Sequence, residues 1–362
     1  MATIRDVARI SGVSPMTVTN VLHGRNKKVR EATRERVLQA MRTLNYKPPA
    51  YALEDSPFRH RAIGFVIPVL EQQGFARNSY TEGLLSELIV QCCMIDCSVN
   101  VIVDSISGTP KLSTRCRYDG RCDGFVVVSP EGHDEVVEKL RERAASVVVV
   151  GSRSNVPSAP TVDIDYTATM LNSIEHLVGL GHRRIGYLDI SRRYSASYER
   201  LDGYLKGLAE YGRRVGEELI PWVTQWSDAD DKVGNMPANG EATIVHWSDG
   251  AKALVDTYER CEPNLRPTAF IGFNDYAALE ASNALTAAGY RCPEHYSIIG
   301  CDNTDRATHH HPRLATYAMP YQQMVSECLR LLTKAIQKPG TVLGDVLLHA
   351  EFIEGDSTAA LS

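Results

Sequence analysis

The runs DGFVVVS (123–129) and SVVVVGS (146–152) constrain this chain most. Neither alternates apolar with polar residues, so a strand made from either must be covered on both faces. That is the condition of a parallel sheet flanked by helices and joined by right-handed crossovers. AIGFVIPV (62–69) and SVNVIVD (98–104) read the same way, and the amphipathic segments 80–92 and 133–144 supply the crossovers. A second series follows: helix 166–180, strand 184–190, helix 197–212, strand 219–223, helix 248–261, strand 268–273, helix 275–289 and strand 296–302. Two series of this size exceed one comfortable core and predict two lobes.

The late helix 320–336 and the ending 347–358 are expected to return to the first lobe. That leaves chain crossings near Asp163 and Asn303 as hinges.

The amino-terminal run 3–22 obeys a different rhythm. Thr3 can cap a helix with Asp6 in its first turn, and Ile4, Val7 and Ala8 share one face. Gly12 permits a sharp reversal, Ser14 can cap a second helix, and Pro15 suits its first position. That helix turns Val18, Val21 and Leu22 inward and leaves Pro15, Met16, Thr19 and Asn20 outward. A third helix ending near Asn45, with Val37, Met41 and Leu44 in phase, closes the module.

Charge separates the two parts. Residues 1–61 carry 12 Lys/Arg against 5 Asp/Glu, whereas the rest carries 27 against 39. A basic head on an acidic body is the distribution that binding to phosphates demands, and the overall net of −5 conceals it.

The segments TIRDVA, GVS, TVTNVLH, TRERV and LNYKP resemble the DNA-binding head of the LacI/GalR family of bacterial transcription regulators. DGFVVVS, VGSRS, VDIDY, HLVGLGHRRIGYL, ERLDGY, PTAFIGFND, SIIGCDN, PRLATY and GDST resemble that family's effector domain. The resemblance implies a three-helix helix-turn-helix head at 1–47, a hinge at 48–61 and a two-lobed, periplasmic-binding-protein-like α/β body with parallel sheets at 62–362. It further implies a homodimer on a near-palindromic operator in double-stranded DNA. Thr3, Ser14, Pro15, Met16, Thr17, Thr19, Asn20, His23 and Arg30 are the expected DNA contacts. The family's usual arginine in the recognition helix is Asn20 here; arginine suits guanine and asparagine suits adenine, so a changed base preference is expected. In the hinge PPAYALEDSP the family's minor-groove leucine position holds Asp55, and Leu53, two residues earlier, is the candidate wedge.

The resemblance places a small effector, a sugar or sugar derivative, between the lobes at the carboxyl ends of the strands. By motif register its contacts are Arg200 and Asp275, with Arg153 as either ligand contact or hinge residue. Arg192 and Arg193 beside Arg200 admit an anionic effector such as a sugar phosphate, and Trp222 admits stacking on a sugar face. The family's N-P-F-F segment after the first body strand is replaced by EQQGFARNSY, and an effector-independent repressor is the alternative reading.

Other chemistry finds little support. GLGHRRIG precedes a strand instead of following one, so it is not a dinucleotide fingerprint. His309, His310 and His311 lack a partner at ligand spacing, and no nucleophile motif occurs. Catalysis, cofactor and metal are therefore not expected. The nine cysteines, including Cys92, Cys93 and Cys97, read as reduced thiols. Without an apolar run of spanning length or a leader, the expected compartment is the cytoplasm and no membrane is involved.

Overall fold

The computed structural model of the protein describes residues 3–22, 29–44, 46, 58, 60–69, 79–105, 120–128, 135–143, 145–152, 156, 159–189, 195–216, 222–225, 243–246 and 251–361. The head consists of α1 (Ile4–Ser11), α2 (Pro15–Leu22) and α3 (Glu31–Thr43). Val7, Ala8, Val18, Val21, Val37 and Ala40 form its buried core together with Tyr46. Met41 and Leu44, expected inside, pack only partly buried against that core.

The first lobe contains β1 (Ala62–Val69), α4 (Ser79–Met94), β2 (Ser98–Ser105), β3 (Gly124–Val128), α5 (Glu135–Glu142), β4 (Ser146–Val150) and β5 (Thr161–Ile164). The valine runs explain its layering. On β3 and β4, Val126, Val128, Val148 and Val150 enter one core, while Phe125, Val127, Val147 and Val149 enter a second on the opposite face. Successive side chains point to opposite faces of a strand, so each face needs its own apolar cover.

The second lobe contains α6 (Tyr166–Gly179), β6 (Ile185–Asp189), α7 (Ser195–Val215), β7 (Trp222–Gln225), β8 (Thr243–His246), α8 (Ala251–Arg260), β9 (Ala269–Gly272), α9 (Asp275–Ala287), β10 (Ser297–Ile299) and α10 (Asp305–Thr308). Then come β11 (Thr316–Ala318), α11 (Tyr321–Gln337), β12 (Val346–Leu348) and β13 (Glu351–Ile353). The sheet orders are β12-β5-β4-β3-β1-β2 and β10-β9-β6-β7-β8, all parallel, with β11 and β13 as a separate antiparallel pair.

Two expectations are corrected. The second crossing is not at Asn303: Ala307 and Leu314 remain in the second-lobe core, and the chain passes to the first lobe between β11 and α11. The ending also divides. Val346–Leu348 joins the first sheet, whereas residues 357–361 bond the second lobe through Ile298 N–H to Ser357 O at 2.9 Å and Leu361 N–H to Leu180 O at 2.8 Å. Strand β8 was not foreseen, because TIVH is too short to carry a period.

Candidate DNA interface and inter-lobe cleft

The head is built by its caps. The Asp6 amide donates to Thr3 Oγ1 at 3.3 Å, and Thr3 N–H and Oγ1 donate back to Asp6 Oδ2 at 2.9 and 2.6 Å. These bonds hold the Asp6 carboxyl below its usual range. Gly12, at φ 64°, ends α1 in the left-handed conformation and turns the chain into α2. Ser14 Oγ accepts from Thr17 N–H at 3.1 Å and so caps α2, while Thr19 Oγ1 donates to the Pro15 carbonyl at 3.0 Å. The hydroxyls of Thr3, Ser14 and Thr19 thus have structural duties in the free head. Pro15 and Met16 are exposed, Met16 at 66%, and Thr17, Thr19 and Asn20 are partly so. One side of α2 near its N-terminus is open, as groove reading requires. Arg30 is exposed just before α3. His23 and Leu53 lie outside the described residues.

The cleft is organised around Arg200 on α7. Gly203, one turn further, sits so close to α6 that a Cβ there would come within 2.9 Å of Thr167 Cα. This close approach of α7 to α6 carries the Arg200 guanidinium over the Tyr166 ring, 3.7 Å from its centroid, with Phe273 4.0 Å away. Arg200 is 4% exposed. Among the described residues its one polar contact is Cys301 Sγ at 3.9 Å, and no carboxylate lies within ion-pair distance. Two rings satisfy the faces of the cation and leave its N–H edges available.

Around it stand groups that the sequence did not single out. Asp302 follows Cys301, and its Oδ2 accepts from Ser79 Oγ of the first lobe at 3.3 Å. Burial and the neighbouring charge of Asp275 lift the Asp302 carboxyl to about 7, although Arg200 and Ser79 pull the other way. Tyr80 and Tyr321 meet edge to face at 5.9 Å, and their buried hydroxyls, like Asn303 Oδ1, have no hydrogen-bond partner among the described residues. Buried hydroxyls of this kind call for a partner, and the described residues provide none.

Asp275, expected at the effector, has structural partners within the second lobe. Its Oδ1 accepts from Thr316 Oγ1 at 2.5 Å and its Oδ2 from Thr304 N–H at 2.7 Å, and it is 1% exposed. Both oxygens hold second-lobe partners, and Asp302 is the carboxyl whose charge interacts with Arg200. The sequence signal was present: GCDN repeats the strand-end placement of FND. Trp222 opens β7 in register with Gly186, away from the Arg200 cluster in the sheet order. Arg153, Arg192 and Arg193 lie outside the described residues. Among the described residues no group of side chains has metal-ligand geometry, and no helix is long and apolar enough to cross a membrane.

A helical head with one open reading face, together with two parallel-sheet lobes that meet at the polar cluster of Arg200, Asp302 and Ser79, is the architecture of a DNA-binding regulator with a periplasmic-binding-protein-like body. Residues 3–49 match the bacterial regulatory proteins of the lacI family, and residues 174–358 match the periplasmic binding protein-like domain. The chain belongs to the LacI family of bacterial transcription regulators. It is 28% identical over 362 residues to the HTH-type transcriptional repressor PurR of Mannheimia succiniciproducens, covering 98% of this chain and 97% of that one. Its fold is shared with the lac repressor dimer bound to operator and the anti-inducer ONPF (TM-score 0.72, 22% identity, 99% of each chain). It is also shared with a complex of the transcriptional regulator CelR with cellobiose (TM-score 0.66, 23% identity, 99% of this chain and 100% of that one).

Proposed function

We propose that this protein represses transcription in the cytoplasm as a homodimer on a near-palindromic operator, and that a small polar molecule, a sugar or sugar derivative, controls it from the inter-lobe cleft. The observation that carries the effector is Arg200: a buried guanidinium with both faces stacked and, among the described residues, no carboxylate partner is a donor set suited to ligand oxygens. Asp302, Tyr80 and Tyr321 add the mixed acceptors and donors that neighbouring hydroxyls require. The cellobiose held by CelR, a protein of the same fold, supports a carbohydrate ligand. Arg153, Arg192 and Arg193 would widen the choice to a phosphorylated sugar.

The dimer reading rests on α4 and β2. Ile89, Val90, Met94, Ile95 and Val101 expose apolar side chains there, Met94 at 79%, and β2 ends the described sheet. Such a face needs a partner, and a second copy would set two heads on one two-fold site. An inducer must bind the DNA-free state better, and a corepressor the DNA-bound state.

The test is selection of operator from random DNA pools, repeated with pools of sugars and sugar phosphates, on wild type and Arg200→Met. A two-fold symmetric site whose occupancy responds to one pool in wild type and to none in Arg200→Met supports the reading. A site indifferent to every pool in both proteins establishes an effector-independent repressor.

A further inference from the structure

Four non-glycine residues among those described hold a left-handed φ: Arg61 at 51°, Asp96 at 58°, Asp302 at 115° and Asn303 at 51°. Such backbone is costly for residues with a Cβ, and it persists where surrounding contacts over-determine it. The four are not scattered. They fall at the two ends of one helix, α4.

At the N-terminus of α4, Ser79 Oγ reaches across to Asp302 in the second lobe at 3.3 Å. Just past its C-terminus, Asp96 pairs with Arg61, the last residue before β1 and the exit of the linker from the head. Further bonds hold that exit. The Arg61 carbonyl accepts from Ser98 N–H at 2.7 Å and Ser98 Oγ at 3.1 Å, and the Asp123 carboxylate takes His60 N–H at 2.8 Å and Ala62 N–H at 3.2 Å. Phe58 is sunk in the first-lobe core. The end of the linker is thus tied to β2 and to the approach of β3, and through the Asp96–Arg61 pair to the turn that follows α4.

The helix between these contacts is stiff. Its 16 residues span about 24 Å at 1.5 Å per residue. Leu84, Leu88 and Cys92 lie on its fully buried side. On the side facing α11, Gln91 donates to the Gln322 carbonyl at 2.8 Å and accepts from Ser326 Oγ at 3.0 Å. A packed helix of this kind transmits displacement from end to end without absorbing it.

We propose that α4 is the coupling rod between cleft and linker, with Ser79 and Asp96 as its positioning residues. A molecule that bonds Asp302 displaces Ser79, α4 shifts, and the Asp96–Arg61 pair carries the shift to the linker and the heads. This rests on the cleft being the effector site, but its structural core is testable without any effector or DNA.

Amide hydrogen–deuterium exchange in the full-length protein at His60, Ala62 and Ser98 reads the far end of the rod. Ser79→Ala should speed exchange there on the order of fivefold. Ser79→Thr, which keeps the hydroxyl, should restore the wild-type rate. Ser282→Ala, which loses a buried hydrogen bond to Tyr296 in the second lobe, should leave these amides unchanged. Changes confined to the residues around Ser79 and Asp302, or equal changes in Ser282→Ala, would overturn the proposal. On a selected operator, Ser79→Ala and Asp96→Asn should each change affinity about fivefold, and the double variant no more than the larger single change. Independent, multiplying effects would also overturn it, because sites this far apart add unless something couples them. Failure to select any operator would bear on the DNA-binding reading alone, and exchange would still decide the rod.

Discussion

Asp275 Oδ1 accepts the Thr316 hydroxyl proton at 2.5 Å, which joins the start of α9 to β11 inside the second lobe. The other oxygen holds the Thr304 amide, so this carboxylate organises the segment leading out of the cleft. Asp275→Asn replaces an acceptor by a donor against one of these partners. The expected cost is about 1–3 kcal/mol of body stability, seen as a lower urea midpoint. Ligand affinity at a temperature well below unfolding should be unchanged. A large loss of affinity in a fully folded variant would restore Asp275 to the ligand shell.

Asn20 lies on the open side of α2, partly exposed and beyond the locally bonded hydroxyls of Thr17 and Thr19. Asparagine pairs bidentately with adenine, whereas arginine suits guanine. Asn20→Ala should lose about 1–3 kcal/mol of discrimination at one base pair in each half-site. Asn20→Arg should move that preference toward guanine. Selection of random DNA with each variant reads this directly, and uniform weakening at every sequence would assign Asn20 to the phosphate backbone.

The layered body and the capped head were legible because their signals are local: valine runs for buried strands, and Thr3, Gly12, Ser14 and Pro15 for the turn. Arg200 was singled out by its motif, and the structure buries it between two rings. Asp302 was not, because its importance comes from Ser79, more than two hundred residues away, and from the ring pair that orients Arg200. The structural bonds of Asp275 were hidden for the matching reason. Its motif places a carboxylate at a strand end, but only the position of Thr316 shows that the carboxylate is already satisfied. The division of the ending between lobes likewise follows from His182 and Ile298, partners that no periodicity points to.

Asp302 makes stability depend on pH in a stated direction. Burial first, then the charge of Asp275, raise its carboxyl from the usual 3.8 to about 7. The folded protein therefore holds a proton that the unfolded chain has released, and this contribution falls as pH rises from about 4 to about 7 and is level above. Burial shifts Asp275 in the same direction. Asp302→Asn removes the charged form that burial penalises. It should exceed wild type in urea midpoint at pH 8 and lose less between pH 5.5 and pH 8. An unchanged difference between the two pH values would show that Asp302 ionises freely in the folded cleft.

The carboxyl-terminal clasp responds to pH with the opposite sign. His182 Nε2 lies 3.1 Å from the Ala359 carbonyl, which can only accept, so this nitrogen carries the proton and Nδ1 accepts from Thr268 Oγ1 at 3.0 Å. Burial lowers the imidazole below 6.5, so its contribution is complete above that pH and is lost as pH falls. Protonated Nδ1 would confront the Thr268 hydroxyl with a second donor. Beside it, Ser357 Oγ donates to the Ile298 carbonyl at 2.6 Å and accepts from Ala315 N–H at 2.8 Å. Ser357→Ala strands both backbone groups in a buried site and should cost about 2–4 kcal/mol. Limited proteolysis of residues 355–361 checks both halves of this account. Wild type should become susceptible toward pH 5, Ser357→Ala should be susceptible already at pH 7.5, and His182→Gln should lose the dependence on pH. A tail equally protected in all three proteins at both pH values would mean that the clasp is held by the backbone bonds of Ile298 and Leu361 alone.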